Sequence, residues 1–502
     1  MEPDRIYSRQ QARRTAWTNE EVRIWSKQFD GLVLSPIDRN QGDTSVICPI
    51  LYRHGFAGTV DTEEEILKRS KEDFLKSGLM SIGKWRPDGR LGTAYTIPKH
   101  KDLTRWRSIA PAAADPAALA QRRVARALHQ LLKRLPANNT FYLDSISELA
   151  EKLEGTTQRL RSAGCDSAVG RCYDIKEMFS RIPHGAVLQA VHQLLRIYED
   201  QGCKQIRVST RGKLCIISEN KRKMDGYVSL TLKQIMEGVK FDLRNSVVRS
   251  GTKLIRQVFG IPMGKSTSPI LASITCAMAE LKFVSELRAD RKLVGRWRIM
   301  DDITIVVGNS TQWEKDEYPE NLFEAFEGIY DTNLEIIRKD RCGLTWQFIG
   351  GQMMICTAPL QIHYVPTTKN TDSRFETGSL TFQTMQDYNS YSYTAKCVKK
   401  AVLTTTLKRL WSQTTSQTLA ILMEVGDKAL MTKRDVFVRF EKHKEAGLKW
   451  YSHTALLDLQ CLKVKANSVW SVADVASFCC SILRRGILLS SFDFDKGAWN
   501  RL

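Results

Sequence analysis

The chain has 502 residues, and its 75 Lys+Arg against 55 Asp+Glu give a formal net charge of +20 at pH 7. This length suits about two to four domain-sized units, and a hydrophobic content of 42% is ordinary for a folded protein. So large a positive excess indicates a polyanionic partner, either nucleic acid or an anionic membrane surface. No apolar run approaches the roughly 20 residues that span a bilayer, so we expect no membrane insertion.

The N-terminus and the cysteines indicate where the protein works. The opening segment MEPDRIYSRQQARR lacks the apolar stretch of a secretory signal. The 12 cysteines form no CxxC pair, which argues against a zinc module and against a disulfide scaffold. We therefore expect an intracellular protein with reduced, mostly packed thiols, in the nucleus or cytoplasm and not secreted.

Residues 1–80 are interpreted as an N-terminal extension. Within it, DTEEEILKRSKEDFLKSG (61–78) carries a capping box from Thr62 to Glu65 and predicts a helix that ends at Gly78. The following stretch, 83–111, is rich in Gly, Pro, Arg and Lys, as strands and turns are.

A basic amphipathic helix is predicted from Pro116. One face is apolar and the remaining positions carry arginines and a lysine, so the basic side chains are either a solvated face or a phosphate-facing surface. The apolar face consists of Val124, Leu128, Leu131 and Leu132, and the basic positions are Arg122, Arg123, Arg126 and Lys133.

The middle of the chain alternates predicted strands and helices, which indicates an α+β unit. The predicted elements are a strand and turn at 165–182, a helix at 186–200, a hairpin at 204–218 turning at Arg211-Gly212, a helix at 231–245, a long helix from Pro269, a strand–turn–strand at 296–307, a helix at 319–330 and a strand–turn–strand at 334–356. From about residue 380 the pattern becomes helical and basic.

Two adjacent acids interrupt an apolar segment in RIMDDITIVV (298–307). Burying the carboxylates of Asp301 and Asp302 without partners is costly. They lie either in an exposed tight turn between two strands or around a cation that offsets their charge. For an isolated DD pair the turn is the simpler interpretation.

Two upstream segments favour the cation site. CYDIKEMFSRI (172–182) places Asp174 at the end of a short apolar stretch, with Phe179 five residues later. QVFGIPMGKSTSPILASI (257–274) is a Gly/Pro-rich loop that leads into a helix, which favours close approach and anions. Three carboxylates, Asp174, Asp301 and Asp302, are the usual set for holding two divalent ions in nucleotidyl transfer.

With these segments the sequence resembles the reverse transcriptase family, and within it the telomerase, Penelope-like and group II intron members. Six segments match family motifs in family order over about 90 to 355. They are TIPKHKDLTRWRSIAP (96–111), YDIKEMF, GIPMGKSTSP, IMDD, NLEIIRKD (333–340) and QFIGGQ (347–352), which resemble the fingers motif, the first catalytic aspartate, the loop after it, the YxDD turn, the lysine-bearing motif and the primer grip.

The resemblance implies an α+β right-hand polymerase with fingers, a palm of antiparallel sheet packed on helices, and a helical thumb. The implied boundaries are fingers at 81–164, palm at 165–375 with a fingers insertion at about 186–255, and thumb at 376–502. The implied activity is that of an RNA-directed DNA polymerase, a nucleotidyltransferase of the kind found in retroelements. The implied partners are an RNA template, a DNA or RNA primer and dNTPs, with room for a dedicated RNA or protein partner.

The resemblance also implies residue roles. Asp174, Asp301 and Asp302 are the implied catalytic residues and ligands of two Mg²⁺ ions, which Mn²⁺ can replace, and the carbonyl of Ile175 adds a ligand. The remaining implied residues contact the nucleotide or the primer: Lys99 and Arg107 the triphosphate, Gly264 the sugar and base, Phe179 the ribose 2′ position, Lys339 the pyrophosphate, and Phe348, Gly350 and Gly351 the primer.

Several of these assignments leave alternatives open. Lys99 and Arg107 could be solvated cations, Phe179 an ordinary core aromatic, and Gly350-Gly351 a plain hairpin turn. Arg338 or Arg341 could take the place of Lys339 in a neighbouring register.

The sequence also departs from the family at Ile299, where tyrosine is usual, and at Ser108 and Lys265. The alternatives for the whole chain are an RNA-dependent RNA polymerase, which the bulky Phe179 disfavours, and a catalytically silent nucleic-acid scaffold, which the retained carboxylates disfavour.

Overall fold

The computed structural model describes residues 62–367 apart from 100–101, 137–138, 251–252, 311–317, 341–342 and 358. It also describes the strands at 33–37 and 40–47, positions 20, 23–24, 27–29, 409 and 412–415, and two short strands at 431–432 and 469–470. At 33–47, 99, 102–105, 253, 431–432 and 469–470 only the backbone is described. Of the predicted thumb and its basic helices, only these few positions after residue 380 are described, and the rest lies outside the described residues.

The described chain is a mixture of helices and antiparallel strands. The helices are α1 (Glu63–Lys76), α2 (Ala118–Lys133), α3 (Leu149–Ser162), α4 (Met178–Arg181), α5 (His184–Asp200), α6 (Leu232–Arg244), α7 (Ser268–Glu286) and α8 (Tyr318–Glu327). The strands are β1 (Val33–Ile37), β2 (Asn40–Ile47), β3 (Tyr95–Lys99), β4 (Asp102–Ile109), β5 (Ser167–Ile175), β6 (Gln205–Ser209), β7 (Cys215–Ser218), β8 (Tyr227–Thr231), β9 (Val247–Ser250), β10 (Lys253–Arg256), β11 (Val294–Ile299), β12 (Asp302–Asn309), β13 (Ile336–Arg338), β14 (Thr345–Phe348), β15 (Gly351–Thr357) and β16 (Leu360–Pro366).

Four strands form the central sheet, in the order β11-β12-β5-β13, and every neighbouring pair is antiparallel. Side chains alternate between its faces, so Tyr173 and Ile175 point into one core and Cys172 into another. The first core contains residues of helices α5, α7 and α8, and the second contains residues of α3 and the sheet β14-β15-β16. Burial on both faces explains why β12 is a continuous apolar run rather than an alternating one.

The predicted helix at the start of the described core is confirmed. Helix α1 spans Glu63–Lys76, and both hydrogen bonds of the capping box between Thr62 and Glu65 are present. Gly78 follows it with φ of +66°, a left-handed conformation that glycine adopts without a steric penalty.

The basic helix is α2, and all four residues of its predicted apolar face are buried. Two of its arginines fit neither of the predicted roles. Arg123 donates to the carbonyl of Ile82, and Arg126 donates to the carbonyls of Ser209 and Leu214 at 2.9 and 3.3 Å. These guanidinium groups therefore bind neighbouring backbone rather than solvent or phosphate, and Arg126 fixes the β6–β7 turn.

The described cysteines are packed as the sequence predicts. Six cysteines lie among the described residues, all are free, and five of them are buried as small hydrophobes. In the part of the chain that the structure describes, no helix is long and apolar enough to cross a membrane.

Candidate active site

The acids Asp174 and Asp302 lie side by side in the central sheet. Asp174 is the penultimate residue of β5, Asp302 is the first residue of β12, and the two are direct cross-strand partners. Directly opposed positions on antiparallel strands place their Cβ atoms about 4.5–5.5 Å apart. Strand register thus brings together two carboxylates that are about 130 residues apart in sequence. The pairing of β12 with β11 and of β5 with β13 fixes that register.

Asp301 lies in the tight turn that joins β11 to β12. Ile299 pairs with Asp302 across the turn, and Met300 takes a positive φ of +56°, which is uncommon outside glycine. The amide of Ile175 donates to the carbonyl of Asp301 at 2.9 Å and ties the turn to β5. The DD pair is therefore a hairpin turn, and this turn lies beside a third acid. The predicted turn is confirmed, and the cation site stays a prediction.

The charge state of Asp301 reflects its surroundings. Burial raises the pKa of this carboxyl above its ordinary value, and the neighbouring negative charges of Asp302 and Asp174 raise it further. A carboxylate held among like charges is stabilised by a cation. The turn is thus an electrostatically unfavourable place for Asp301 unless positive charge lies near it.

Lys339 supplies positive charge to this site. Its Nζ lies 3.0 Å from Oδ1 of Asp174 and 3.1 Å from Oδ1 of Asp302. Burial alone would lower the pKa of Lys339, but the Asp302 charge and the hydrogen bonds to both carboxylates outweigh burial and raise it. The ammonium therefore bridges the two acids in its charged form.

The register of the lysine is visible in the backbone after β13. The amide of Lys339 donates to the carbonyl of Cys172 at 2.7 Å, and Ile337 pairs with Asp174. Arg338 turns to the other side, where its guanidinium binds the Asp340 carboxylate at 2.8 Å. Of the alternatives open at this motif, Lys339 faces the acids and Arg338 does not, while Arg341 lies outside the described residues.

Asp174, Asp301 and Asp302 would have to rearrange before all three could bind one divalent ion. Within the described residues, no three His, Cys, Asp or Glu side chains converge closely enough to hold a metal ion. Asp174 and Asp302 nevertheless share one cationic group, and Asp301 lies within electrostatic range of both. Hard oxygen donors of this kind are what Mg²⁺ prefers. The acids therefore suit a divalent cation in the place of the ammonium.

A fully buried ion pair lies beneath the turn. Arg298 and Glu280 of helix α7 both have no exposed side-chain surface, and the Arg298 guanidinium binds the Glu280 carboxylate. Arg298 also donates to the carbonyls of Met300 at 3.2 Å and Ser273 at 3.0 Å. Tyr330 adds a hydrogen bond to Glu280 at 2.9 Å. This network ties the carbonyl of Met300, the residue with positive φ, to α7.

Sequence reasoning missed this pair, although a signal existed. Glu280 is the one acid in the apolar helix stretch ILASITCAMAELKFV, and Arg298 immediately precedes IMDD. A charged residue at a core position of a helix needs a partner of opposite charge, and an arginine next to a site turn is a candidate. Which of the 75 basic residues is the partner depends on the fold and not on sequence spacing.

The Gly/Pro-rich loop packs against the segment that follows β4. Gly264 has a φ of +129°, and a Cβ there would lie 2.4 Å from the Ala110 carbonyl oxygen. The amide of Ala110 in turn donates to the carbonyl of Met263 at 2.6 Å. Gly264 thus permits a close backbone contact within the protein, and its contact with a nucleotide stays a prediction.

Phe179 lies at the other side of the same loop. Its side chain is half-buried and packs against the first core, and its carbonyl accepts a hydrogen bond from Ile261 at 2.6 Å. The Phe179 ring therefore packs on the first core with one part and is exposed to solvent with another. Its role at a ribose 2′ position stays a prediction.

The predicted triphosphate-binding residues belong to the β3–β4 hairpin. Arg107 is half-buried and opposite Ile97, and Lys99 ends β3, where only its backbone is described. Trp106 opposite Pro98 is 40% exposed. The hairpin leads directly into Ala110, whose amide donates to the Met263 carbonyl, so it is tied to the Gly264 loop. The phosphate-binding role of both residues stays a prediction.

The predicted primer grip is the β14–β15 hairpin. Phe348 is buried in the second core, so only the neighbouring backbone is available for contact. Gly350 has a φ of +69°, as a turn residue would, and a Cβ on Gly351 would overlap the Tyr364 ring at 2.5 Å. The carbonyl of Gly350 accepts a hydrogen bond from Arg409 at 2.8 Å. The segment is a hairpin turn, and primer contact stays a prediction.

The chain matches no protein-family model and no curated protein. Among solved structures it is similar to telomerase from Candida albicans in complex with a TWJ fragment of telomeric RNA, with a TM-score of 0.50 and 13% identity over 96% of this chain and 74% of that one. Apo telomerase from Candida tropicalis gives a TM-score of 0.46 and 13% identity over 90% of this chain and 71% of that one. The sicinivirus 3Dpol RNA-dependent RNA polymerase gives 0.33 and 13% identity over 59% and 56%. At such low identity the likeness shows the fold alone, and the chain has a nucleic-acid polymerase-like fold.

Proposed function

We propose that this chain is an RNA-directed DNA polymerase that extends a primer 3′-hydroxyl with dNTPs on an RNA template. One observation carries the proposal: Asp174 and Asp302 are cross-strand partners, with Asp301 in the adjoining turn. Acids placed in this way on a polymerase-like fold suit the handling of phosphates and divalent ions. In this proposal residues 81–164 form the fingers of a right-hand arrangement, residues 165–375 form the palm with a fingers insertion at about 186–255, and residues 376–502 form the thumb.

The residues that would hold two Mg²⁺ ions, or Mn²⁺ in their place, are Asp174, Asp301 and Asp302 with the Ile175 carbonyl. When bound, such ions lower the pKa of the primer hydroxyl and neutralise the leaving pyrophosphate. Lys339 lies within 3.1 Å of two of these acids, so its ammonium is within the same site and is the candidate proton donor to pyrophosphate. Its position among the acids supports that role.

The surrounding loops supply the proposed substrate contacts. Lys99 and Arg107 of the β3–β4 hairpin would neutralise the β- and γ-phosphates, a task for which positioned cations are suited. The Phe179 ring would exclude a ribose 2′-hydroxyl, and the backbone at Gly264 would face the nucleotide. The hydrogen bond from the Ile261 amide to the Phe179 carbonyl ties the backbone at Phe179 to the loop, which supports their acting on one substrate.

A second candidate function is a nucleic-acid scaffold without catalysis. The observation that favours it is the Lys339 bridge, because it satisfies two of the three acids without any metal. Against it stands Asp301, because burial and the charges of Asp302 and Asp174 raise the pKa of this carboxyl, and a cation at the site would stabilise its ionised form.

Primer extension on an RNA template with Mg²⁺ separates these functions, with dNTPs and rNTPs supplied in parallel reactions. The proposal predicts extension with dNTPs. Extension with rNTPs alone would identify an RNA polymerase instead, and no extension by a chain that still binds the primed template would identify the scaffold.

A further inference from the structure

The ammonium of Lys339 lies in the space between two facing carboxylates. Its distances of 3.0 Å to Asp174 and 3.1 Å to Asp302 are nearly equal, so it serves both acids and belongs to neither alone. Without it, two negative charges on adjacent strands would repel each other directly. The lysine is thus the counter-ion of the pair in this structure.

The backbone directs Lys339 to this place. Ile337 of β13 is the cross-strand partner of Asp174, and residues two apart on an extended segment point to the same face. The hydrogen bond from the Lys339 amide to the Cys172 carbonyl continues the pairing beyond the strand. Strand register therefore determines which way the Lys339 side chain points.

The side chain is also free to leave. The Lys339 side chain is 44% exposed, and the side chains of Asp174 and Asp302 are 28% and 33% exposed. A path to solvent therefore exists beside the bridge. A lysine carries its charge on a flexible four-carbon stem and holds a carboxylate as a point charge, without the rigid fork of arginine. Release therefore requires only rotation of the side chain, with the ammonium returning to water.

We propose that Lys339 is an internal counter-ion that divalent metal displaces, so that the site is neutralised when empty and the lysine is freed when metal enters. This inference rests on the proposed function, in which Asp174 and Asp302 hold metal ions. The observation behind it is the placement of the Lys339 ammonium between the two carboxylates that would bind the metal.

Displacement has two measurable consequences. Metal and ammonium compete for the same carboxylate oxygens, so removing the ammonium strengthens metal binding. Removing it also leaves two facing carboxylates uncompensated in the metal-free protein, so the melting temperature without metal falls and metal restores it.

The experiment measures Mn²⁺ binding by calorimetry and by electron paramagnetic resonance, with the full chain and no nucleic acid present. Lys339→Met keeps the length of the side chain and removes the charge. Lys176→Met is the matched control, because Lys176 lies two residues from Asp174 and its ammonium binds Glu335 instead, at 3.1 Å. Asp302→Asn reports whether the measured ion is held by these acids.

The expected result is a dissociation constant for Lys339→Met roughly tenfold lower than for the unmodified chain, which corresponds to about 1.4 kcal/mol. The control should stay within about twofold of the unmodified chain, since long-range charge is screened. The metal-free melting temperature of Lys339→Met should fall and recover with Mn²⁺.

Two results would overturn the inference in distinguishable ways. If Mn²⁺ binding depends on Asp302 but Lys339→Met binds it no more tightly, the lysine is no stand-in for the metal, while the proposed function survives. If Asp302→Asn leaves Mn²⁺ binding unchanged, the acids hold no metal, and the inference and the proposed function both fail.

Discussion

Ile299 and Asp302 are the closing pair of the turn that carries the two acids, and Asp302 is in turn the cross-strand partner of Asp174. Ile299 packs against the second core, with residues such as Phe348 and Trp346. The residue that departs from the family pattern therefore serves as an apolar anchor for the turn. A branched aliphatic side chain suits that place, because it packs well on a pleated surface.

Asp301→Asn should abolish primer extension while template binding stays nearly unchanged. The substitution removes one carboxylate charge from the turn and keeps its size. Extension assays and a filter-binding assay on the same primed template measure the two effects. Loss of binding in proportion to loss of extension would show that Asp301 supports the fold or the template and not the chemistry.

The same variant should raise the melting temperature of the metal-free protein. The raised pKa of Asp301 means that the folded state disfavours its ionised form, so folding is less favourable once the pH exceeds that pKa. An uncharged amide removes the penalty at pH 7, with an expected gain of about 1–4 °C. Consistently, the unmodified chain should gain this stability as the pH falls through the raised pKa towards the ordinary value of 3.8.

Arg298→Met should be strongly destabilising, because it leaves the Glu280 carboxylate buried without its partner. Breaking one side of a buried pair costs about 3–5 kcal/mol. The double variant Arg298→Met with Glu280→Leu should recover much of that loss, since it removes both charges. Urea denaturation of the two variants and of the unmodified chain measures the difference, and equal stability of single and double variants would contradict the pairing.

Stability can recover in that double variant while activity does not. Arg298 donates to the Met300 carbonyl at the acid-bearing turn, and methionine cannot replace that hydrogen bond. We therefore expect a folded double variant whose kcat for extension is lowered more than its KM for dNTP. A variant with unchanged kcat would show that the network serves stability alone.

Gly264→Ala should destabilise the chain by at least about 1 kcal/mol. Its φ of +129° disfavours any side chain, and the new methyl group would meet the Ala110 carbonyl at 2.4 Å. Gly155→Ala is the control, because Gly155 lies inside helix α3 and a methyl group added there would have no neighbouring atom within 4 Å. That change should stabilise by about 0.5–1 kcal/mol. Thermal melts of both variants measure the contrast.

Phe179→Ala should increase the use of rNTPs relative to dNTPs, because the ring is the proposed barrier to a ribose 2′-hydroxyl. Phe259→Ala is the control, since that ring is 48% exposed and lies in the same loop. The ratio of kcat/KM values for dNTP and rNTP is the measured quantity. An unchanged ratio in Phe179→Ala would assign the ring to the core alone.

Local pattern was enough to predict most of the described elements. The capping box at Thr62, the turn near Arg211-Gly212 and the helix after Pro269 are all present because neighbouring residues determine them. The sequence also identified the DD turn as a turn. Helix α3 and strand β16 were not predicted, and their residues pack together in the second core, where contacts distant in sequence stabilise them.

The geometry of the site was less accessible from sequence. Lys339 and Arg338 are adjacent cations, and only the pairing of β13 with β5 decides which one faces the acids. A shift by one residue would exchange them. The partners of Arg126 and Arg298 are likewise set by tertiary packing, because backbone carbonyls and a buried glutamate carry no spacing signal.

The central claim is tested most directly by single-turnover addition of one dNTP to a primer annealed to an RNA template, with Mg²⁺. The chain with Asp174→Asn is compared with the chain with Glu335→Gln, which changes the charge at the partner of Lys176 and leaves the three acids intact. The account predicts addition by the unmodified chain and by Glu335→Gln, and a loss of at least about a thousandfold in Asp174→Asn. Addition by Asp174→Asn at the rate of the unmodified chain would contradict it.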